Sequence, residues 1–552
     1  MNLDDEPFSV GGGFADDDKS NRSNRTFRVL VSDKLDKRGV KLLEEEPGIT
    51  VDVKTGMTPE EFLSVIRDYD ALIIRSATKV TARALERAER LMVVGRAGIG
   101  LDNVDIPAAT QKGVAVMNTP KGNVVTTAEH AISMMMSMSR NISRATASMK
   151  AGKWEKKLFQ GREIMNKNLG VIGFGKIGSV VADRARGMKM NVLVFDPVVP
   201  NDRIQKAGFT ACDLPELFEK ADYITVHVPR TKKTLSLLNK AAFDRMKDGV
   251  MIVNCARGGI VNENDLHDAI VSGKVAGAAL DVFENEPPGD HPLLSLEQVT
   301  ATPHLGASTL EAQRNVALQV AEQIIMYLKS NTAVNTVNVP QVTGKLLEKL
   351  SPFLSLGEKM GTLLAQLVSG HIHDVTVEYN GDLDDLDTSP VTTSIVKGLL
   401  TPLASDPVNF VNAPVMAEDM GISITEKKSK DAWDYTNLIR VKVETDQGEW
   451  SVAGTLFGKN YPRIVAIGRM RLEMVPEGYF TLLEGENEPG SIGAIGHTLG
   501  SLSINISRMT VGQHVDNTQN KIFLRTDIPL PDEARDALLR LPLVSELQSF
   551  EL

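Results

Sequence analysis

Short hydrophobic runs alternate along the chain with stretches in which hydrophobic positions recur every three or four residues. Three strand-sized runs lie near the N-terminus, at residues 27–31, 71–74 and 92–94. Residues 35–46, after the first run, have helical spacing. The alternation resumes at Leu169 and continues to about His304, and residues 309–328 then form one long helical stretch. This pattern predicts an α/β fold with two Rossmann-like parallel-sheet domains.

The C-terminal part of the chain follows different patterns. From about residue 341 the strands are longer and typical of antiparallel pairing. Residues 438–443 and 450–457 form one such pair, joined by a turn at Asp446-Gln447-Gly448. From residue 478 the order is strand, helix, strand, strand, helix, strand, which is a ferredoxin-like arrangement. We therefore expect an α+β domain followed by a ferredoxin-like module.

Composition narrows the class of protein. The chain has 552 residues, a length that is too great for a single core. Its content of 42% hydrophobic and 24% charged residues is typical of a globular protein. The net charge of −10, from 61 basic and 71 acidic residues, argues against a nucleic-acid surface. Two cysteines provide neither a disulfide framework nor a metal-ligand cluster, so we expect a reducing compartment and no metal.

Targeting signals are sparse. The hydrophobic runs are too short or too interrupted to span a membrane. Residues 1–25 are rich in Asp, Gly, Ser and Asn, which is typical of a disordered extension. The cytoplasm is the expected location, and an organellar form with a removed targeting peptide stays open.

A glycine-rich segment predicts a dinucleotide site. Gly173, Gly175 and Gly178 form G-x-G-x-x-G between a short hydrophobic strand and a predicted helix over residues 180–188. These glycines permit a tight turn, close approach of a pyrophosphate to the backbone, and close packing of helix on strand. The next strand, residues 191–195, ends in Asp196, an acid placed to bind a ribose hydroxyl. Its charge would repel a 2′-phosphate, so the predicted cofactor is NAD.

Hydride transfer from an alcohol also requires a base with a pKa near neutrality and a cation that polarises the carbonyl. Among nine histidines, His304 stands out because it follows a strand at a turn of small residues. The carboxyl ends of parallel strands are where such sheets bind ligands.

Three segments resemble the signatures of the D-isomer-specific 2-hydroxyacid dehydrogenase family: Val-Asn-Cys-Ala-Arg-Gly-Gly at 253–259, Leu-Asp-Val-Phe-Glu-Asn-Glu-Pro at 280–287, and Pro-His-Leu-Gly at 303–306. By this resemblance Arg257 grips the substrate carboxylate and orients the carbonyl. His304 is the acid/base and Glu286 is its partner, because a carboxylate stabilises a protonated imidazole.

The resemblance also implies site residues and domain limits. The implied NAD-binding residues are Ile99, Gly173, Gly175, Lys176, Ile177, Gly178, Asp196, Val228, Cys255, Arg257, Asp281, His304, Gly306 and Ala307. The implied substrate-binding residues are Arg75, Ser76, Lys79, Gly98, Lys156 and Arg257. The cofactor domain, 121–307, is inserted in a substrate-binding domain, 26–120 and 308–340, and an intervening domain, 341–477, and a terminal module, 478–552, follow.

The substrate is narrowed by further resemblance within this family. Segments 74–81 and 94–105 and the long tail resemble the members that oxidise D-3-phosphoglycerate to 3-phosphohydroxypyruvate, the first step of L-serine biosynthesis. A phosphorylated substrate needs cations apart from Arg257, and Arg75 and Lys79 are candidates. The basic segment 152–157 around Lys156 resembles a loop that reaches a neighbouring subunit's active site.

The terminal module resembles an ACT domain, which in this family pairs subunits and binds serine as an inhibitor. Asn487 and Asn505 match positions that hold an amino acid, whereas Gly485 stands where the family often has histidine or tyrosine. The resemblance implies a homo-oligomer, a dimer or a tetramer, with serine as a possible effector.

Two alternatives stay open at this point. One is a broader reductase of 2-oxo acids such as hydroxypyruvate, glyoxylate or 2-oxoglutarate, which the same arginine, glutamate and histidine would serve. The other is a non-catalytic protein that binds NAD and regulates partners.

Overall fold

The computed structural model describes residues 25–339, 345–458, 460–486, 488–513 and 519–552. The chain divides into two compact units, Met1–Asn118 with Val320–Leu552, and Thr119–Gln319. Residues 1–24 of the predicted N-terminal extension lie outside the described residues. Across the described ranges, no helix combines the length and hydropathy needed to cross a membrane.

The N-terminal part of the first unit is a five-stranded parallel sheet in the order β2-β1-β3-β4-β5. Its strands are β1 (Phe27–Val31), β2 (Ile49–Val53), β3 (Ala71–Ile74), β4 (Val93–Arg96) and β5 (Ala115–Asn118). Its helices are α1 (Lys37–Glu44), α2 (Pro59–Val65), α3 (Ala82–Arg87) and α4 (Ile106–Gln111). Each helix begins after a side chain that accepts a backbone N–H bond, from Asp36, Thr58, Thr81 and Asp105.

The second unit contains a seven-stranded parallel sheet in the order β12-β11-β10-β9-β6-β7-β8. Its strands are β6 (Asn168–Ile172), β7 (Asn191–Phe195), β8 (Thr210–Ala211), β9 (Tyr223–Val226), β10 (Val250–Asn254), β11 (Val275–Leu280) and β12 (Val299–Ala301). Separate hydrophobic clusters pack on its faces. The strand order reverses beside β6, which is the switch point at which such sheets bind ligands.

Helices cover this second sheet. They are α5 (Val124–Ser139), α6 (Ile142–Lys150), α7 (Lys176–Gly187), α8 (Asn201–Lys206), α9 (Leu214–Lys220), α10 (Lys240–Arg245) and α11 (Glu263–Val271). The helix predicted after the glycine motif begins at Lys176, four residues earlier than residue 180. The long predicted helix is α12 (Leu310–Ser330), and the boundary between the two units falls inside it, at 319/320.

A six-stranded sheet follows, in the order β14-β13-β15-β16-β17-β18. Its strands are β13 (Ile372–Gly381), β14 (Ser423–Ser429), β15 (Asn437–Thr445), β16 (Gly448–Phe457), β17 (Tyr461–Ile467) and β18 (Met470–Met474). The predicted hairpin is confirmed as β15 and β16. The expectation of antiparallel strands is wrong for β13 and β14, which pair in parallel, because α14 (Ser389–Leu400) and α15 (Ala413–Asp419) provide a crossover between them. The preceding helix is α13 (Lys345–Leu367).

The C-terminal module has the predicted ferredoxin-like order, with its sheet arranged β20-β21-β19-β22. Its strands are β19 (Tyr479–Glu486), β20 (Ile506–Gln513), β21 (Gln519–Thr526) and β22 (Val544–Glu551), and its helices are α16 (Ser491–Ser501) and α17 (Asp532–Leu539). One face of the sheet packs on these helices, through Leu483, Ile522 and Leu524 among others.

Candidate active site

The glycine turn after β6 provides a surface for a dinucleotide. Gly173 has φ +97°, and a Cβ there would lie 2.5 Å from the His227 carbonyl oxygen. A Cβ on Gly178 would lie 1.9 Å from the Gly173 carbonyl oxygen, so only glycine lets α7 pack this closely. At Gly175, by contrast, a Cβ would meet nothing within 4 Å. The open space at Gly175 adjoins the N-terminus of α7, which has no side-chain cap, so the turn fits a pyrophosphate.

Asp196 is fixed beside this turn by backbone donors. Its Oδ2 accepts the Phe174 N–H at 2.6 Å, and its Oδ1 accepts the N–H groups of Val198 and Val199 at 2.8 and 2.9 Å. The carboxylate therefore stands at the end of β7 next to the glycines, as a ribose-binding acid requires. Lys176 and Ile177 are the first two residues of α7, and Val228 lies beside Gly173.

The three segments that carry the predicted catalytic residues follow three neighbouring parallel strands. Arg257 follows β10, Glu286 follows β11 and His304 follows β12. These strands are adjacent in the sheet. Parallel strands end at the same edge, so the fold brings together three loops that are distant in sequence.

His304 and Glu286 form a direct pair, with Nδ1 of the imidazole 2.7 Å from Oε2 of the carboxylate. The other oxygen, Oε1, accepts the Phe283 N–H at 3.2 Å. Burial raises the pKa of Glu286, but the hydrogen bond and charge of His304, together with the hydrogen bond from the Phe283 N–H, lower it by more, so its pKa is below the ordinary value. Glu286 is therefore a carboxylate at neutral pH.

The backbone at His304 is in the left-handed region, with φ +55°. A non-glycine residue pays a conformational cost there, and such strain occurs preferentially at functional sites. Two hydrogen bonds from the His304 N–H, to the carbonyl oxygens of Asp281 at 2.9 Å and Thr302 at 3.0 Å, hold the backbone in this conformation.

The loop that carries Arg257 is held by the buried side chain of Asn254. The Asn254 amide donates to the Arg257 carbonyl oxygen at 3.0 Å, and its Oδ1 accepts the Ala256 N–H at 3.0 Å. A Cβ on Gly258 would lie 1.8 Å from the Phe283 carbonyl oxygen, so this loop packs directly on the loop that carries Glu286. Cys255, which directly follows β10, is buried, and burial, with a smaller contribution from the charge of Asp281, raises the pKa of its thiol.

Asp281 is 1% exposed and holds the loop that carries His304. Its Oδ1 accepts the Leu305 N–H at 2.7 Å and the Thr302 hydroxyl at 2.5 Å, and its Oδ2 accepts the Gly306 N–H at 2.8 Å. Burial raises the pKa of Asp281, but hydrogen bonds, chiefly from His130 and Thr302, lower it by more. Its geometry is that of a loop anchor, while its predicted contact with the cofactor stays a prediction. Ala307 follows Gly306 and is half-buried.

In the first unit, the predicted substrate residues follow β3 and β4. The Arg75 N–H donates to Asp33 at 2.6 Å, and the Arg75 carbonyl oxygen accepts from Asn103 at 2.8 Å. Ser76 and Lys79 are exposed on the same loop. Arg96 ends β4, and its Nε donates to the Arg75 carbonyl oxygen at 3.2 Å. Gly98 and Ile99 follow β4 and are half-buried.

The remaining predicted residues lie apart from these loops in sequence. Lys156 is exposed in a short helical turn, beside Trp154, which is 80% exposed. Asn505 is exposed and donates to Asp527 at 2.6 Å. Asn487 lies outside the described residues. A Cβ on Gly485 would lie 1.7 Å from the Leu543 carbonyl oxygen, so the strand pairing there excludes a side chain.

Sequence reasoning missed several residues that the structure makes important. Three features depend on contacts between loops: Asp281 anchors the loop of His304, Asn254 holds the loop of Arg257, and Arg96 bonds the Arg75 backbone. The available signal was the position of these residues inside the matched segments, at the ends of strands.

Within the described ranges, His373, Asp374 and Glu444 form a group that could hold a metal ion, and its members are partly or fully exposed.

Comparison with known proteins agrees with this geometry. The family model described as "D-isomer specific 2-hydroxyacid dehydrogenase, NAD binding domain" matches residues 132–306. The model described as "D-3-phosphoglycerate dehydrogenase intervening domain" matches residues 349–468. Both matches fall where the sequence predicts a cofactor domain and an intervening domain.

Relatives cover nearly the whole chain. The D-3-phosphoglycerate dehydrogenase of Archaeoglobus fulgidus is 43% identical over 92% of this chain and 96% of its own. A chloroplastic D-3-phosphoglycerate dehydrogenase of Arabidopsis thaliana is 39% identical over 99% of this chain and 89% of its own. The solved D-lactate dehydrogenase of Aquifex aeolicus, in complex with NAD and lactic acid, superposes with a TM-score of 0.52 at 25% identity, over 57% of this chain and 100% of its own. The chain belongs to the D-3-phosphoglycerate dehydrogenases, within the D-isomer-specific 2-hydroxyacid dehydrogenase family.

Proposed function

We propose that this protein oxidises D-3-phosphoglycerate to 3-phosphohydroxypyruvate with NAD, the first step of L-serine biosynthesis. The observation that carries the proposal is the His304–Glu286 pair, 2.7 Å between Nδ1 and Oε2, on loops that the sheet brings to one edge with Arg257. The degree of relatedness over nearly the full length supports the choice of substrate.

His304 provides the base. Because Glu286 accepts the Nδ1–H, the neutral ring keeps a lone pair on Nε2, which accepts the proton of the substrate hydroxyl. The carboxylate of Glu286 then stabilises the protonated ring. When bound, NAD supplies the hydride acceptor. Arg257 holds the substrate carboxylate and stabilises negative charge on the reacting oxygen.

NAD is assigned to the glycine turn and Asp196. The N–H groups at the start of α7 would hold the pyrophosphate, and Gly175 leaves open space for it. Asp196 would accept a hydrogen bond from the adenosine ribose, and its charge would disfavour a 2′-phosphate. For the substrate phosphate we assign Arg75 and Lys79, with Arg96 as a third cation whose Nε bonds the Arg75 backbone.

The test is NADH consumption with 3-phosphohydroxypyruvate beside hydroxypyruvate, glyoxylate and 2-oxoglutarate. A kcat/KM at least about a hundredfold higher for the phosphorylated acid is expected, since a lost bidentate or ionic contact costs several kcal/mol. Comparable values for all four acids would overturn the substrate assignment and favour a broader 2-oxoacid reductase. No turnover with any of them would favour a protein that binds NAD without catalysis.

The substitution His304→Ala distinguishes a role of His304 in proton transfer from a role in NADH binding. Turnover should fall by about a hundredfold to ten-thousandfold, because a positioned acid/base contributes that much. The dissociation constant of NADH, measured by fluorescence, should change little, since the glycine turn and Asp196 are intact. Turnover that survives the substitution would remove His304 from the mechanism.

The terminal module and the Lys156 loop support further assignments. We assign a homo-oligomer, dimer or tetramer, in which these parts meet neighbouring subunits, and light scattering of the full chain tests it.

Serine is the assigned effector, and because Gly485 excludes a side chain, we expect weak inhibition, measured as the serine concentration that halves kcat. Both cysteines are free and buried, which suits the cytoplasm, and cell fractionation tests that location.

A further inference from the structure

His130 contacts Asp281, the residue that anchors the loop carrying His304. It lies on α5, and its Nε2 is 3.1 Å from Oδ1 of Asp281 and 3.2 Å from the hydroxyl oxygen of Thr302. The side chain of His130 is 18% exposed and that of Asp281 is 1% exposed, so the contact is largely withdrawn from water. In the sequence, His130 is distant from all three catalytic segments.

The available protons determine the direction of these hydrogen bonds. The Asp281 carboxylate can only accept, since its pKa lies below the ordinary value. The one hydroxyl proton of Thr302 is donated to Asp281 at 2.5 Å. Both oxygens near His130 are therefore acceptors, and Nε2 must carry the proton that they share. His130 is the donor that completes the hydrogen bonding of the buried carboxylate on this side.

Asp281 in turn brackets His304 on both sides. Its carboxylate accepts the N–H groups of Leu305 and Gly306, and its carbonyl oxygen accepts the N–H of His304. The left-handed backbone of His304 persists only if its surroundings hold it there. A shift of Asp281 would move all three bonds together, and with them the ring that pairs with Glu286.

We propose that His130 is a positioning residue, which fixes the rotamer of Asp281 and thereby the orientation of the His304 ring. This inference rests on the proposed function, because it assigns His304 as the base. A histidine that only filled space on α5 could be replaced by any ring of similar size, whether or not that ring donates a hydrogen bond. Variants that keep the ring but not the donor, or the donor but not the ring, therefore distinguish space filling from positioning.

The test compares His130→Phe, which keeps a ring without a donor, with His130→Gln, whose amide nitrogen replaces Nε2 as donor. For His130→Phe, kcat with 3-phosphohydroxypyruvate should fall at least about tenfold, while the dissociation constant of NADH stays within about twofold. For His130→Gln, at least about half of the lost activity on a logarithmic scale should return. The matched control is His267→Phe, which removes a histidine–carboxylate pair, His267–Asp268 at 3.1 Å on α11, and should leave kcat unchanged.

Two results would overturn the proposal: wild-type kcat in His130→Phe, or His130→Gln no better than His130→Phe. If His130→Phe fails to fold, His130→Leu replaces it, since leucine also fills space and has no donor. His130→Leu should then lower kcat with NADH binding intact, and His130→Gln should have the higher kcat of the two; equal kcat values would overturn the proposal. Absence of turnover in the wild-type protein would instead contradict the proposed function itself.

Discussion

At the scale of single residues, Glu286 supports the proposed base through its charge. Its pKa is lowered, so the carboxylate is fully charged above the ordinary carboxyl pKa, and the stability that this charge contributes is lost as pH falls through the lowered value. In Glu286→Gln, kcat/KM for oxidation at neutral pH should fall about tenfold to a hundredfold, because the ring that takes the substrate proton loses the charge that stabilises it. An unchanged kcat/KM would contradict the pairing.

Asp196 is the residue that we propose decides between the two nicotinamide cofactors. Its carboxylate is held by three backbone N–H groups beside the glycine turn. Asp196→Ala should reduce the preference for NAD over NADP about tenfold or more, which corresponds to ~1.4 kcal/mol, because repulsion of the 2′-phosphate and the ribose hydrogen bond are both lost. The ratio of kcat/KM values with the two cofactors measures it, and an unchanged ratio would remove Asp196 from the ribose site.

At the scale of elements, the two glycines of α7 and its cap have separable roles. Gly175 has φ −73° and open space around a Cβ, so Gly175→Ala should keep the melting temperature and weaken NADH binding about tenfold by blocking the pyrophosphate. Gly178→Ala places a methyl 1.9 Å from the Gly173 carbonyl oxygen and should destabilise the unit by ~1–3 kcal/mol, with NADH binding lost as well. Equal effects of the two changes on stability would contradict this division.

The helices and strands also show how much of the fold the spacing of hydrophobic residues can predict. It predicts β1, β3 and β7 with the bounds that the structure has, because a fully buried strand is a run of β-branched and aliphatic residues flanked by polar ones. The glycine turn after β6 and the position of His304 just after β12 could be predicted because these residue types have few other uses at strand ends, while their functional roles stay predictions. The parallel pairing of β13 with β14 could not, since pairing partners depend on the path of the crossover helices. The anchoring role of Asp281 was hidden for the same reason: its partners come from another loop and from α5.

At the scale of the whole molecule, the terminal module is not an independent appendage. Phe480, Phe523 and Phe550 form an aromatic cluster with ring centroids 5.3–6.1 Å apart, on the sheet face opposite its own helices. These rings belong to the same hydrophobic core as α13 and β13. Gln366 of α13 adds hydrogen bonds to the Glu551 backbone at 3.1 and 3.3 Å. The predicted boundary at 477/478 therefore divides the chain but not the core.

A shared core should unfold in one step. Phe550, 5% exposed, stacks on Phe480 at 5.7 Å, and Phe550→Ala should lower the free energy of unfolding by ~3–5 kcal/mol because it leaves a cavity in this core. Calorimetry should show the intervening domain and the terminal module melting together at a lower temperature, since neither retains a complete core without the other. The matched control is Phe457→Ala, at a ring that is 37% exposed and stacked on Tyr435, which should cost less than about 1 kcal/mol. A separate early transition in Phe550→Ala, with the intervening domain melting at the wild-type temperature, would contradict the shared core and make the module an independently folding domain.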